Sequence, residues 1–155
     1  MRIALFQPDI PQNTGTMMRM AACLGLGVDI IEPAGFDTSD RNFRRAGLDY
    51  LDHVDIRRHR SFEAFDDDRR ETGCRLVLLT TSGERPHHAF AFEANDILLV
   101  GRESAGVPER VHAAADARLR IPMRAGLRSL NVAISAAIVA GEAMRQAGLF
   151  EGLDG

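Results

Sequence analysis

The sequence predicts an α/β fold with a mostly parallel sheet, helices on both faces, and a single domain that spans residues 1–155. Short apolar segments alternate with helix-compatible segments along the chain, which is the order that β-α-β units produce. Two segments, Leu76–Leu79 and Ile97–Val100, are continuous apolar runs, as expected of strands covered on both faces. These two strands are therefore predicted to be central.

The individual elements follow from local patterns. The first helix is expected to begin from a cap at Asn13 or Thr14 and to stop at Gly25, because Asn and Thr favour N-caps and glycine favours the position after a helix. A late helix is expected to begin at Ser129 and to continue to Arg145 or beyond. Six strands are predicted, at Ile3–Phe6, Val28–Ile31, Val54–Ile56, Leu76–Thr80, Ile97–Val100 and Arg118–Ile121.

The composition excludes several classes of protein. Hydrophobic residues make up 45% of the chain and charged residues 26%, which is typical of a packed globule rather than a disordered chain. Cys23 and Cys74 lie far apart and outside any metal-ligand spacing, so we expect neither a disulfide scaffold nor a metal site. No signal peptide or membrane-spanning run is evident. A soluble, cytoplasmic protein is expected.

The charge is unevenly distributed along the chain. The net charge is −3, which is unusual for a protein that binds nucleic acids through an overall basic surface. However, residues 41–60 and 118–128 are rich in arginine, and the intervening segment is acidic. All Lys and Arg positions are arginine, which excludes Schiff-base lysine chemistry and suits forked contacts to phosphate. A genome-wide bias toward arginine codons explains this usage better than selection for RNA binding, so the clustering of the arginines is the stronger evidence. The two arginine-rich segments are candidates for an RNA-binding surface.

Ligands of an open parallel sheet bind at the carboxyl ends of its strands, so the loops after Leu79, Val100 and Ile121 are candidate sites. The segment Gly101–Gly106 resembles a P-loop, but Val107 and Pro108 follow where Lys and Ser or Thr are needed. ATP hydrolysis is therefore not predicted. The segment Gly25-Leu26-Gly27 also fails as a dinucleotide fingerprint, since it precedes a strand and lacks the third small residue.

Ser104 partly resembles the nucleophile of an α/β-hydrolase. The sequence around it would complete Gly-x-Ser-x-Gly if Arg102 were glycine. The hydrolase order also requires an acid and then a histidine after the serine, whereas His112 precedes Asp116. An esterase remains an alternative interpretation with weak support.

Three motifs resemble those of the SPOUT methyltransferases and occur in the order of that family. The first comprises Ile10–Gly15 with Arg19, the second is Gly101–Pro108, and the third combines Ile121–Met123 with Ser129–Val132. The segments 31–36 and 44–50 further resemble the TrmL type, the wobble-nucleotide ribose methyltransferases of tRNA. The resemblance covers nearly the whole chain. It implies a C-terminal trefoil knot, a homodimer and 2'-O-methylation of cytidine or uridine at position 34.

The resemblance also implies a set of site residues. Arg19 is expected to act at the target ribose, although a guanidinium is a poor base because it keeps its proton in proteins. Glu103 and Asn131 are expected to support the site, and no metal is required. Asn13, Arg44, Arg45 and Arg128 are expected to contact the anticodon stem-loop of tRNA. S-adenosyl-L-methionine, which becomes S-adenosyl-L-homocysteine, is expected to bind at Leu79, Gly101, Ile121, Met123, Ser129 and Leu130.

Two positions depart from the pattern of many relatives. Ile134 stands where many have a second asparagine, and Arg102 stands where many have proline. Two alternatives to the tRNA enzyme stay open: an RNA-binding SPOUT-like module without catalysis, and a methyltransferase of another RNA ribose. The presence of Arg19, Gly101 and Glu103 favours an enzyme.

The late helix predicts a homodimer independently of the resemblance. Apolar or small residues surround much of its circumference, which is more than a helix at the surface of one domain needs. A second copy of the helix is the expected partner, because small residues allow close approach across a twofold axis. The alternative is a helix buried within its own monomer, with its second face covered by knotted or layered packing. The residues concerned are Leu130, Ala133, Ile134, Ala137, Ile138, Ala140 and Gly141.

Overall fold

The computed structural model describes residues 1–37 and 50–153. Within them the strands are β1 (Arg2–Phe6), β2 (Gly27–Ile31), β3 (Ile56–His59), β4 (Leu76–Leu79), β5 (Arg85–Pro86), β6 (Ile97–Val100) and β7 (Ala117–Arg120). The α-helices are α1 (Pro11–Leu24), α2 (Phe62–Glu71), α3 (Glu109–Ala114) and α4 (Val132–Gln146), with short 3-10 turns at Leu51–His53 and His87–Ala89.

The strands form one sheet in the order β3-β2-β1-β6-β4-β7-β5, and every neighbouring pair is parallel. This confirms the predicted α/β class and parallel sheet. The strand β6 is the middle strand, with β1 on one side and β4 on the other. All four residues of β6 are buried, as the continuous apolar run predicted.

Each face of the sheet is covered by its own helices. Because side chains alternate along a strand, Ile3 and Leu5 of β1 point to one face, whereas Ala4 and Phe6 point to the other. The first face packs against α1 and α4, which contribute buried residues such as Met18. The second packs against α2 and α3. The two layers fix the carboxyl ends of β4, β6 and β7 at one edge of the sheet.

Several predicted boundaries were wrong. The third strand is Ile56–His59 rather than Val54–Ile56, because it is an edge strand whose exposed Arg57 and Arg58 hide the apolar pattern. The two-residue strand β5 was not predicted. The late helix begins at Val132 rather than Ser129.

The first helix begins earlier than predicted. It starts at Pro11, which suits the first helical turn because proline needs no donor there, and Ile10 is its N-cap residue without a side-chain cap. Asn13 and Thr14 are not caps. The Thr14 hydroxyl donates to the Ile10 carbonyl at 3.2 Å, and Asn13 bonds elsewhere. Gly25 ends the helix with φ of 65°, as predicted.

Among the described residues, no helix is both long and apolar enough to cross a membrane. The trefoil knot stays a prediction.

Candidate active site

A cavity of about 520 Å³ opens at the carboxyl ends of β4, β6 and β7. This is the edge of the sheet where a ligand was expected. The cavity is lined by all the residues that were predicted to bind a cofactor, namely Leu79, Gly101, Ile121, Met123, Ser129 and Leu130. Asn13, Glu103 and Asn131 line it as well.

The loop after β6, residues 101–106, is closed by its own backbone. The Arg102 amide donates to the Gly106 carbonyl at 3.0 Å, and the Gly106 amide donates to the Arg102 carbonyl at 2.8 Å. A Cβ at position 101 would lie only 2.7 Å from the Gly106 carbonyl carbon. Glycine is needed at 101 because the loop folds back over it, a reason that the sequence did not suggest.

A chain of hydrogen bonds joins the three motif segments. The Asn131 side-chain amide donates to Asn13 Oδ1 at 2.9 Å, and the Asn13 amide donates to Glu103 Oε1 at 3.0 Å. Asn131 Oδ1 also accepts from the amides of Ala133 and Ile134, which caps α4. Segments far apart in sequence thus converge beside the cavity.

Asp9 binds the same loop from the turn between β1 and α1. Its carboxylate accepts from the Glu103 amide at 3.1 Å and from the Ser104 amide at 3.4 Å. The Ser104 hydroxyl donates to Asp9 Oδ2 as well. The Arg102 Nε lies 3.7 Å from the same oxygen.

The carboxyl groups of Asp9 and Glu103 perturb each other. Interaction with the Glu103 carboxyl lowers the pKa of Asp9, and the hydrogen bonds from Ser104 lower it further. Burial, followed by the interaction with Asp9, raises the pKa of Glu103. Two adjacent carboxyls resist double ionisation, so the neutral form is favoured at Glu103 and the ionised form at Asp9. Among the described residues, its Oε2 atom is buried without a hydrogen-bond partner.

The loop after β4 adds residues that the sequence did not indicate. Thr80 and Thr81 line the cavity. The Thr80 amide donates to the Leu119 carbonyl at 2.9 Å, which ties the loop to β7. A Cβ at position 83 would lie 2.3 Å from the Leu119 carbonyl carbon, so Gly83 allows this close approach.

The loop between β7 and α4 is open. Residues 122–130 are all exposed, and the side chain of Leu127 is 67% accessible. Within this stretch the backbone makes one turn bond, from the Leu127 amide to the Arg124 carbonyl at 3.3 Å, and Gly126 has φ of 84°. Three predicted cofactor residues, Met123, Ser129 and Leu130, belong to this loop.

Arg19 and Arg128 do not line the cavity. Arg19 lies on the exposed side of α1, where its guanidinium stacks 4.7 Å from the centre of the Tyr50 ring and donates to the Tyr50 hydroxyl at 3.3 Å. Arg128 is exposed in the open loop. Arg44 and Arg45 lie outside the described residues.

Sequence reasoning also missed Asp9 and Ser135. Asp9 stands in a short Pro-Asp-Ile-Pro run, and only the fold reveals that it faces a loop more than 90 residues away. Ser135 lines the cavity from the first turn of α4, one turn after Asn131. A helical wheel drawn from the N-cap residue Asn131 would have indicated Ser135.

Comparisons with known proteins agree with this geometry. The model of the SpoU rRNA methylase family matches residues 1–141. A relative from Beijerinckia indica subsp. indica, named tRNA (cytidine(34)-2'-O)-methyltransferase, is 64% identical over 94% of this chain and 91% of its own length.

Two solved structures are also similar. One concerns the 2-OH methylation of C/U34 on tRNA; it is 43% identical, covers 94% of both chains and has a TM-score of 0.88. The other is the SpoU methyltransferase AviRb from Streptomyces viridochromogenes in complex with the cofactor AdoMet. It is 30% identical, covers 94% of this chain and 60% of that one, and has a TM-score of 0.84.

The parallel sheet and the cavity at its carboxyl edge, with these matches, define a methyltransferase of the SPOUT class. Within that class the chain belongs to the SpoU rRNA methylase family.

Proposed function

We propose that this protein methylates tRNA on the ribose 2'-hydroxyl of cytidine or uridine at wobble position 34, with S-adenosyl-L-methionine as methyl donor. The observation that carries the proposal is the hydrogen-bonded chain Asn131-Asn13-Glu103, which unites the three motif segments around one cavity. The names of the similar proteins support the choice of tRNA and of position 34.

The cavity has features that suit S-adenosyl-L-methionine. Its volume falls within the range of roughly 300–1,000 Å³ that is usual for small-molecule sites. Leu79, Ile121 and Leu130 offer apolar surface to the faces of an adenine ring, and backbone groups of the three loops are available for its edges. When bound, the cofactor supplies an electrophilic methyl group on a sulfonium.

The residues of the chain would align the ribose and exclude water. Attack by the 2'-oxygen requires that the hydroxyl loses its proton and that the developing negative charge is stabilised. Arg19 is proposed for the second task, because a guanidinium is a strong donor and a poor base. Its stacking on Tyr50 leaves further N–H groups for a phosphate or an oxyanion.

The RNA-binding surface is proposed to include Asn13, Arg44, Arg45 and Arg128. Arginine side chains neutralise phosphates and release counterions, so tRNA binding should weaken steeply as salt concentration rises. The slope of log binding constant against log salt concentration measures the number of phosphate contacts, at roughly 0.9 or less per contact. Replacing Arg44, Arg45 and Arg128 together by alanine should therefore make this slope shallower by about three.

A homodimer is proposed as the working unit. The side chains of Ile134 and Ile138, one turn apart on α4, are 54% and 39% exposed. Exposed apolar side chains that share a helix face are typical of a self-association surface. Sedimentation equilibrium should give a dimer for the wild type and a monomer for Ile134→Asp/Ile138→Asp. A fully active wild-type monomer would contradict this proposal.

The direct test combines calorimetry with methyl transfer. Wild-type protein should bind S-adenosyl-L-methionine and S-adenosyl-L-homocysteine, and it should methylate a tRNA with ribose at position 34 but not one with 2'-deoxyribose there. Arg19→Ala should bind the cofactor with near-normal affinity and lose roughly 100-fold in turnover, as expected of a group that acts mainly in the transition state. Binding of RNA without either cofactor would favour a non-catalytic module, and transfer to another ribose would favour a different RNA target.

A further inference from the structure

Asp9 occupies a position that the proposed methyl transfer does not by itself explain. It lies in the turn between β1 and α1, and its side chain is only 14% exposed. Three hydrogen bonds from backbone and hydroxyl donors reach its carboxylate, and all three come from Glu103 and Ser104 in the loop 101–106. A carboxylate that accepts several such donors is strongly favoured in its ionised form.

The backbone behind Asp9 is fixed from a third segment. The Gly35 amide donates to the Pro8 carbonyl at 2.8 Å. A Cβ at position 35 would lie 3.0 Å from the Asp9 Cα, so the two backbones are already in close contact. Asp9 therefore has little freedom to follow the loop if the loop moves.

Glu103 is consequently held at both ends by one short stretch of chain. Asp9 binds its backbone amide, and Asn13, one helical turn further, binds its side-chain Oε1 at 3.0 Å. This double hold fixes the position of the Glu103 side chain, which lines the cavity. The anionic Asp9 also favours the neutral form of Glu103, since it is one of the causes that raise the pKa of that side chain.

We infer that Asp9 is a positioning residue that holds the loop 101–106 against the start of α1 and thereby fixes the Glu103 side chain at the edge of the cavity for ligand binding. The inference rests on the proposed function, because the ligand in question is S-adenosyl-L-methionine. Asp9 acts through Glu103 and Ser104 and does not line the cavity itself. Its effect must therefore appear in the geometry and protonation of Glu103.

The test compares Asp9→Asn, which removes the charge, with Asp9→Glu, which keeps it. Asp9→Asn should weaken S-adenosyl-L-methionine binding by about tenfold and lower turnover at saturating cofactor, and Asp9→Glu should restore part of both, since a charged acceptor roughly doubles the strength of a hydrogen bond. Asp68→Asn, the same change at an exposed carboxylate on α2, should leave both quantities unchanged.

A second measurement separates positioning from general stability. Titration of the labelled Glu103 carboxyl by NMR should show its pKa falling toward the ordinary value of 4.5 in Asp9→Asn and remaining raised in Asp9→Glu. If Asp9→Asn does not fold, Gly35→Ala is the substitute variant, because the added Cβ would press on the Asp9 backbone. This mild strain should lower cofactor affinity about threefold.

Wild-type cofactor affinity and an unchanged Glu103 titration in the folded variant would overturn the inference. Failure of the wild-type protein to bind the cofactor would instead overturn the proposed function.

Discussion

Two loops at the same edge of the sheet contribute to the cavity in different ways. The loop 101–106 is closed by two backbone hydrogen bonds and is also held by Asp9 and Asn13. The loop 122–130 has a single backbone turn bond within it, and all of its residues are exposed. The first loop has its shape before any ligand arrives, whereas the second has few contacts of its own to define it.

The difference indicates which contacts at the cavity are made by the fold itself and which would be made only with a bound partner. A preformed loop lowers the entropic cost of binding, because its backbone is already ordered. The open loop carries Leu127, Leu130 and Arg128, so apolar and cationic side chains are presented together.

The largest expected effect comes from breaking the preformed loop. Gly101→Val would place a Cβ 2.7 Å from the Gly106 carbonyl carbon, so the loop must open. We expect S-adenosyl-L-methionine affinity to fall by at least about 100-fold, equivalent to roughly 2.7 kcal/mol, while circular dichroism still shows a folded protein.

Gly106→Ala is the matched control for that change. Among the described residues, chain neighbours aside, no atom lies within 4 Å of the Cβ that alanine would add, so the φ of 64° is the main obstacle. The cost should be about 1–2 kcal/mol of backbone strain, and cofactor affinity should fall less than in Gly101→Val. Normal cofactor affinity in Gly101→Val would contradict the closed loop.

A smaller effect is expected at the junction of the two regions. Asn131→Ala removes the N-cap of α4 and the bond to Asn13, so the free energy of unfolding should fall by about 1 kcal/mol and cofactor affinity should fall too. Ser61→Ala removes a similar cap from α2, where Ser61 Oγ accepts from the Ala64 amide at 3.2 Å. It should reduce stability to the same degree and leave cofactor affinity intact, as chemical unfolding and calorimetry can measure.

The protonation of Glu103 should make the stability of the protein depend on pH through the loop 101–106. Because the folded state raises its pKa above the ordinary value of 4.5, the neutral form is favoured, and stability is lost as pH rises from that value through the folded-state pKa. Glu103→Gln has no such proton to lose, so over this pH range its free energy of unfolding should rise relative to that of the wild type. A constant difference between the two proteins from acid to neutral pH would contradict the assignment.

The smallest effect is expected in the open loop. Leu127→Ala should change the free energy of unfolding by less than about 0.5 kcal/mol, because an exposed side chain loses little packing. Urea unfolding measures this directly. A loss above about 1 kcal/mol would show that the loop is as well packed as the loop 101–106.

The sequence predicted much of the fold for reasons that the structure explains. Buried central strands have continuous apolar runs, so Ile97–Val100 and Leu76–Leu79 were recognisable, whereas the edge strand Ile56–His59 carries exposed arginines and was misplaced. Helix starts were harder, because Ile10 offers no capping side chain. Pro11 begins the helix instead, because proline in the first helical turn has no amide hydrogen that would need a partner.

The candidate site was predictable only where a motif marks it. The resemblance indicated Gly101, Glu103 and Asn131, which line the cavity. Asp9 could not be found in this way, since its role depends on a contact across more than 90 residues of chain. Arg19 was expected at the site and lies outside the cavity, which a linear motif cannot foresee because it does not fix the direction of a helix face.

The central claim is methyl transfer to the wobble ribose, and nucleoside mass spectrometry of tRNA tests it most directly. In a strain that lacks the gene for this protein, 2'-O-methylated cytidine or uridine should be absent from position 34, and wild-type protein, but not Arg19→Ala, should restore it. Unchanged methylation at position 34 in the deletion strain, or loss of a methyl group from another RNA, would contradict the account.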